Sequence, residues 1–469
     1  MRKYHTLLVG CLAASACGMG EVSIEGGAPT ETKSAVSSTV TIPMRVFSAS
    51  PSLGAKATSV SDPADPKYGA LMVFLEKVQA YSGGEVAFSM ANWAATAPNT
   101  VLKQVGVNGD PTATGVPRDA AYDNGGVLNS VWGFVYNSTP FGLEFEDMVR
   151  FLYEGGGLAL AQSLLDGRGL NVKILPVVGS NPQGSGYFKA PIGKVKCHGE
   201  RDCKEVEGIG LEGLCQTGWI FRYLPPAQDV VARACNQLVA EGVIPAKNIS
   251  FVASIPGQTV LRSVQLGTVT AFEFATALDD YDPPTAGAGF FPPLTASPIP
   301  STSQNPGHKG LRFAHYPSWH QPFFTGYILL NKSAVWDALT PEQQTAVENA
   351  AHDALIESFG ASGSAQCGAL ANILDHNDGQ VQLDLNGNPI LVDGEPVSAD
   401  MVLTQWPKDA LVRLQAATQA HLEALKGGAI PTADQAEYAI VLAALRSFMA
   451  DTGFQWKAGK FPKQECHLK

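Results

Sequence analysis

A chain of 469 residues, 45% hydrophobic and only 16% charged, exceeds one ordinary domain and carries ample material for a packed core, which excludes intrinsic disorder. Its formal charge of −11 is spread without blocks, which argues against a nucleic-acid partner or an anionic membrane patch. No apolar run reaches the roughly 18 residues that spanning a bilayer requires.

The N-terminus reads as a processing signal, with a basic Met1-Arg2-Lys3, an apolar stretch from Leu7 to Ala14 and a small-residue cleavage site, Ala14-Ser15-Ala16, before Cys17. Residues 1–16 are therefore expected to be a signal peptide. A cysteine directly after such a site resembles the lipobox of bacterial lipoproteins, making Cys17 the expected acylation site and membrane anchor. Leu8-Val9-Gly10-Cys11 fits the lipobox better but leaves too short an apolar region before it. Residues 17–38, rich in Gly, Ser, Thr, Glu and Pro, read as a lipoprotein tether, with an ordinary secreted protein as the alternative.

Export makes the later cysteines candidates for disulfides, and six of them allow fifteen pairings. Cys197–Cys203 would close the polar loop CHGERDC, Cys215–Cys235 would clamp the stretch between them, and Cys367–Cys466 would pin the C-terminal tail. A metal set of Cys197, His198 and Cys203 is disfavoured by an oxidising compartment.

Val40 to Phe47, Lys67 to Tyr81 and Glu85 to Met90 form a strand–helix–strand unit typical of α/β proteins. An acidic first turn predicts a helix from Glu144, interrupted at Gly155-Gly156-Gly157, and Asn171 to Val178 predicts the next strand. Further strands are expected at Ile249–Ala253, Gly267–Phe274 and Gly326–Leu330, with a short helix at Gln258–Gln265 and a long Pro/Gly-rich loop over 282–310. Thr340-Pro341-Glu342 starts a helix that runs to about Phe359. Gln380 to Pro396 reads as a hairpin about Asn386-Gly387, and helices near Lys408–Leu425 and Thr432–Asp451 complete the chain.

One stretch organises the rest. In Gly213 to Leu238, Arg222 stands between the apolar Gly218-Trp219-Ile220-Phe221 and Pro225-Pro226, which suit the first turn of an amphipathic helix. A strand-end arginine held by a rigid turn can grip a carboxylate with two parallel hydrogen bonds, and a structural salt bridge is the plainer reading. The chain has no HExxH, Walker A, GxSxG or glycine-rich dinucleotide motif. Aromatic residues beside glycines or at strand ends, including Trp132, Tyr187, Trp219 and Trp319, together suggest an aromatic-lined cleft with a few polar groups.

Four segments in order resemble the solute-binding subunits of tripartite ATP-independent periplasmic (TRAP) transporters of the dicarboxylate-binding type. Pro140-Phe141-Gly142-Leu143 with the later Gly155-Gly156-Gly157 looks like the family's PFGL…GGG segment, and Gln183-Gly184-Ser185-Gly186-Tyr187-Phe188 like its QxGGWF loop. Gly267 to Phe274 is similar to its GTIDAAEW strand, and Tyr316-Pro317-Ser318-Trp319 through Asn331-Lys332 and Trp336 to its YPGW…NK…WxxL region. The resemblance covers roughly Val40 to Phe359 and departs from the pattern at Pro225-Pro226, at a three-residue insertion before Arg222, and at His320-Gln321, where Trp-Glu is usual.

The resemblance implies a two-lobed α/β fold of the periplasmic-binding-protein kind, with a ligand cleft between lobes. It implies lobe I over 39–145 plus 274–328 and lobe II over 146–273 plus 329–360; residues 361–469, which have no counterpart in the family, are expected as an extension of hairpin and helices packed on the lobes. It implies capture of a small organic carboxylate for TRAP membrane subunits, without catalysis, by a lipid-anchored protein in the periplasm. Arg222 would clamp the carboxylate, Gln183 and Glu273 would bond the ligand or, with the carbonyl of Phe274, hold Na⁺ or Ca²⁺, and Trp132, Tyr187, Trp219, Phe274 and Trp319 would form the walls. A binding protein for a larger or more apolar ligand, and a secreted enzyme on an unrecognised scaffold, are the alternatives.

Overall fold

The structure is a computed structural model that describes residues 39–47, 66–93, 119–123, 139–180, 182–195, 207–223, 225–252, 268–273, 313–316, 318–375, 391–392, 395–396, 402–426 and 432–453, with single residues 105, 136 and 263. Two β-sheets with helices packed on them give a two-lobed α/β architecture. The first sheet has the order β2-β1-β3-β10-β4, from β1 (Val40–Phe47), β2 (Val86–Trp93), β3 (Ala120–Asp123), β4 (Val172–Ser180) and β10 (Phe324–Asn331).

Strand β1 is parallel to β2 and β3, whereas β10 runs antiparallel to β3 and β4. Between β1 and β2 lies helix α1 (Pro66–Tyr81), whose Leu71, Phe74 and Val78 recur at helical spacing and bury against Ile42, Met44 and Val86. The helix stops where Gly83 and Gly84 take positive φ, a conformation that costs glycine little. Helix α6 (Pro341–Asp375) adds Val347, Ala350, Ala351 and Ala354 to the same core. Its start is a reciprocal capping box: Gln343 N–H donates to Thr340 Oγ1 at 3.3 Å, and Thr340 N–H donates to Gln343 Oε1 at 3.1 Å.

A second core gathers helices α2 (Phe145–Tyr153), α3 (Gly157–Gly167) and α8 (Thr432–Asp451), with Phe151, Leu165, Tyr438 and Leu442 buried. The Gly155–Gly157 break between α2 and α3 is a close approach: a Cβ on Gly157 would lie 2.6 Å from the Phe151 ring. Arg168, just after α3, pairs with Asp434 and Glu437 on α8.

The second sheet has the order β13-β9-β5-β8-β6-β7, from β5 (Gly186–Phe188), β6 (Ile220–Arg222), β7 (Ser250–Val252), β8 (Ala271–Phe272), β9 (Phe313–His315) and β13 (Val402–Thr404). Helices α4 (Gly210–Leu214), α5 (Pro225–Ala240) and α7 (Lys408–Lys426) cover it through Leu214, Val231, Leu238, Leu411 and Leu414. A disulfide joins Cys215 to Cys235, as expected, and Cys367 is also disulfide-bonded. Cys197, Cys203, Cys466 and the expected lipidation site Cys17 lie outside the described residues.

The expected lobe boundaries need correction. Residues 172–180 and 329–331 were assigned to the second lobe, but β4 and β10 pair from Val172↔Asn331 to Phe324↔Ser180 inside the first sheet. The reason is that β10 is buried along Thr325 to Leu330 and takes a strand on each side, a pairing that hydrophobicity does not specify. Helix α6 likewise continues through the 360/361 boundary as one element. The region after it is integral to the fold, because β13 forms the edge of the second sheet and α7 packs on α5. The short strands β11 (Leu391–Val392) and β12 (Glu395–Pro396) pair around 393–394, whereas the expected turn at Asn386-Gly387 lies outside the described residues.

Candidate ligand site

The chain passes from the first sheet to the second between β4 and β5, and returns between β9 and β10. These two crossovers run side by side: Gln183 N–H donates to Gln321 O at 3.3 Å and Ser185 N–H to His315 O. The third segment beside them is the Pro140-Phe141-Gly142-Leu143 turn, where Phe141 N–H donates to Trp319 O at 2.9 Å and the Phe141 ring stacks on Trp319 at 5.5 Å. Phe141 holds a φ of 54°, a left-handed conformation that costs an aromatic residue of order 1–3 kcal/mol and persists because both contacts fix it.

Arg222 ends β6 and Glu273 follows β8, and the two strands are parallel neighbours with Arg222 opposite Phe272. Both side chains are buried, at 3% and 1% exposure. Arg222 Nη1 donates to the Glu273 carbonyl oxygen and lies 3.2 Å from its Oε2. Glu273 N–H returns a bond to Arg222 O at 3.0 Å. The salt-bridge reading of these residues is therefore realised between the two of them.

Around this pair stand polar groups that sequence reasoning did not select. Tyr223, the residue after Arg222, places its hydroxyl 3.1 Å from Ser185 O and 3.0 Å from His320 Nδ1. Ser318 Oγ lies 2.5 Å from the same nitrogen and accepts the N–H groups of His320 and Gln321. His320 Nε2 is 3.8 Å from Glu273 Oε1. Burial with the Glu273 carboxylate nearby raises the Tyr223 phenol above its ordinary pKa and keeps it neutral. A signal for this group was available, because His320-Gln321 departs from the resemblance within the return crossover.

Four buried polar atoms here have no hydrogen-bond partner among the described residues: Gln183 Oε1, Gln321 Oε1, Glu273 Oε1 and His320 Nε2. A buried polar group left unpaired costs about 1–3 kcal/mol; Glu273 Oε1 and His320 Nε2 stand 3.8 Å apart, and Gln183 and Gln321 lie on the two crossovers that run side by side. Three of these atoms are oxygen acceptors without donors, the hard donor type that suits Na⁺ or Ca²⁺ and not a thiolate- or imidazole-binding metal. The residues present thus fit a cation of that kind.

Among the expected wall residues, Tyr187 stacks on Phe272 at 5.0 Å. Trp319 is 2% exposed and packed among Phe141, Tyr223 and Trp406, so it braces His320 from within the core. Trp219 is half-buried and packs on Phe188 at 5.8 Å, against the core of the second sheet. Trp219 directly precedes strand β6 (Ile220–Arg222), and it is Arg222 at the strand's end that reaches Glu273. Trp132 and Phe274 lie outside the described residues.

No family model matches the chain. A TRAP transporter solute-binding protein from Bordetella bronchiseptica RB50, seen with calcium and picolinate, superposes with a TM-score of 0.56 at 14% identity, covering 89% of this chain and 93% of that one. A TRAP periplasmic solute-binding protein from Colwellia psychrerythraea, with calcium and pyruvate, gives 0.57 at 15% identity over 88% and 95%. The fold is that of TRAP solute-binding proteins. A curated relative, a monocarboxylate 2-oxoacid-binding periplasmic protein of Nostoc sp., is 24% identical over 274 residues. The match spans 58% of this TRAP-like chain and 58% of the relative.

Proposed function

We propose that this protein is a periplasmic solute-binding protein of a TRAP-type transporter that captures a small organic monocarboxylate together with a cation. The observation that carries the reading is the four unpartnered buried polar atoms carried by Glu273, the partner of Arg222, by His320, and by Gln183 and Gln321 on the adjoining crossovers. Arg222 is the carboxylate clamp, acting from a strand end whose partner Glu273 offsets its charge before ligand arrives. Gln183, Gln321 and Glu273, with the Phe274 carbonyl, are the residues that would hold Na⁺ or Ca²⁺, and the cation would supply a bridge to the ligand.

With Na⁺ as the cation, charge counting supports a monoanion. Arg222 and Glu273 cancel, and Gln183 and Gln321 are neutral, so a carboxylate and a cation enter a site of no net charge. The known binding roles of the relatives, and the absence of any catalytic motif in the sequence, favour a binding protein over an enzyme. A larger apolar ligand is less well served, because Trp219 and Trp319 are spent on the core. Anchoring through a lipidated Cys17 remains part of the proposal; a Cys17→Ser protein moving from the membrane to the soluble periplasmic fraction tests it.

Calorimetry with pyruvate in sodium- or calcium-containing buffer tests the site. Arg222→Lys keeps a charge for Glu273 but loses the bidentate fork, and its affinity is expected to fall about 30-fold or more. An unchanged affinity in a folded variant sinks the clamp.

A further inference from the structure

The imidazole of His320 is held in one tautomer by its surroundings. Ser318 Oγ accepts two backbone N–H groups, from His320 at 3.1 Å and Gln321 at 3.0 Å, which uses both of its lone pairs. Its one proton is then directed at His320 Nδ1, 2.5 Å away, while the Tyr223 hydroxyl, which donates its own proton to Ser185 O, has its oxygen 3.0 Å from that nitrogen. With Nδ1 accepting, Nε2 carries the hydrogen. The ring cannot swing, because Tyr223 and Trp319 pack on it with centroids at 4.7 and 5.5 Å.

This fixed N–H has no acceptor within hydrogen-bond reach among the described residues. The nearest carboxylate oxygen, Glu273 Oε1, stands 3.8 Å away and is itself unpartnered. Glu273 Oε2 faces Arg222 at 3.2 Å, so the donor lies one carboxylate's width from the guanidinium. A ligand whose carboxylate sits on Arg222 therefore brings the substituent on its next carbon toward Nε2–H, while Glu273 Oε1 remains for the cation.

We infer that His320 is a specificity-determining residue whose Nε2–H donates to the oxygen on the carbon beside the ligand's carboxylate, selecting 2-oxo and 2-hydroxy acids over unsubstituted ones. The inference rests on the carboxylate reading above and adds the residue that reads the second group. An acid lacking that oxygen leaves a desolvated N–H unpaired, and sites built to bond a substituent discriminate strongly on that account. Ser318 and Tyr223 act through His320 as positioning residues.

The test is calorimetry with pyruvate, lactate and propionate in sodium buffer. The wild-type protein is expected to prefer pyruvate and lactate over propionate by about tenfold or more. His320→Asn places an amide where Nδ1 was, still serving Ser318, and removes the donor at the Nε2 position. It is expected to bring the three acids within about threefold while propionate's own affinity is held. His320→Gln, whose amide reaches the Nε2 position, should restore part of the preference. A preference kept in His320→Asn, or equal weakening of all three acids, overturns the inference and leaves the carboxylate reading standing; so does a Gln variant as indiscriminate as Asn. Wild-type protein that binds none of the three overturns both.

Discussion

His315 and His320 lie five positions apart and behave differently because their neighbours differ. His320 is surrounded by hydroxyls and a carboxylate, whereas His315 sits among Phe188, Trp406 and the end of β9, with Ile192 N–H donating to its Nε2 at 3.2 Å. Burial without a charged partner lowers the His315 imidazole from 6.5 to about 3. The unfolded chain takes up this proton below about pH 6.5 and the folded chain does not, so stability falls as pH drops from there toward 3. The slope contributed by His315 approaches about 1.4 kcal/mol per pH unit in the middle of that window. His315→Gln, which keeps an acceptor for Ile192, is expected to flatten it. Denaturant titrations at pH 7, 5 and 4 on both proteins measure the difference; parallel curves rule out this origin.

At the scale of elements, the Cys215–Cys235 disulfide brackets the segment that carries Arg222. It joins the residue after α4 to the middle of α5, across 20 positions, with both cysteines fully buried. Gln228 in the first turn of α5 adds a second tie, donating to Val252 O at 2.7 Å and also to Tyr223 O. Pro225-Pro226 thus starts the helix without loosening the strand end, and the sequence departure there is compensated by a covalent bond and a side-chain brace. Closing a loop of this length constrains the unfolded chain by about 3 kcal/mol. Cys215→Ala with Cys235→Ala is expected to lose about that much stability under oxidising conditions, with Arg222 less well placed and ligand affinity reduced. Thermal unfolding of the wild type and this variant under oxidising conditions measures the difference; identical midpoints show that the bridge does not contribute.

These elements were legible in the sequence because each rests on local chemistry: the apolar spacing of Leu71, Phe74 and Val78, the Thr340 cap, the glycine break before α3, and the pairing of Cys215 with Cys235. The resemblance also names Arg222 and Glu273, which the structure brings together as a buried ion pair. His320, Ser318 and Tyr223 were not legible, because their roles depend on which segments run side by side, and a hydroxyl's partner 97 positions away leaves no local pattern. The lobe division failed for the same reason at β10, whose apolar sequence fits a central strand in either sheet. An aromatic residue just before a strand, such as Trp219, reads alike whether it faces ligand or core.

At the scale of the whole molecule, the two sheets are joined where the site is, so occupancy of the site and cohesion of the fold are coupled. The crossovers after β4 and before β10 hold each other through backbone bonds, and the Phe141 turn of the first lobe grips Trp319 beside His320. Ligand and cation would supply the missing partners of Gln183, Gln321, Glu273 and His320, which come from three separate segments. Anything that binds the folded chain alone stabilises it by mass action, by about 2.7 kcal/mol at a hundredfold excess over Kd. For a chain of this size that corresponds to a rise of roughly 3 °C in Tm. On the proposed reading, in which the cation bridges to the carboxylate held by Arg222, the two are expected to act together. Pyruvate should raise Tm in buffer containing sodium or calcium, and much less in a buffer whose only cation is too bulky to enter the oxygen set. The reciprocal must hold, since coupling between two ligands is the same in both directions: sodium or calcium should stabilise the protein more when pyruvate is present. A Tm rise with pyruvate that is independent of the cation separates the carboxylate clamp from the cation site, and leaves Gln183 and Glu273 as direct ligand contacts.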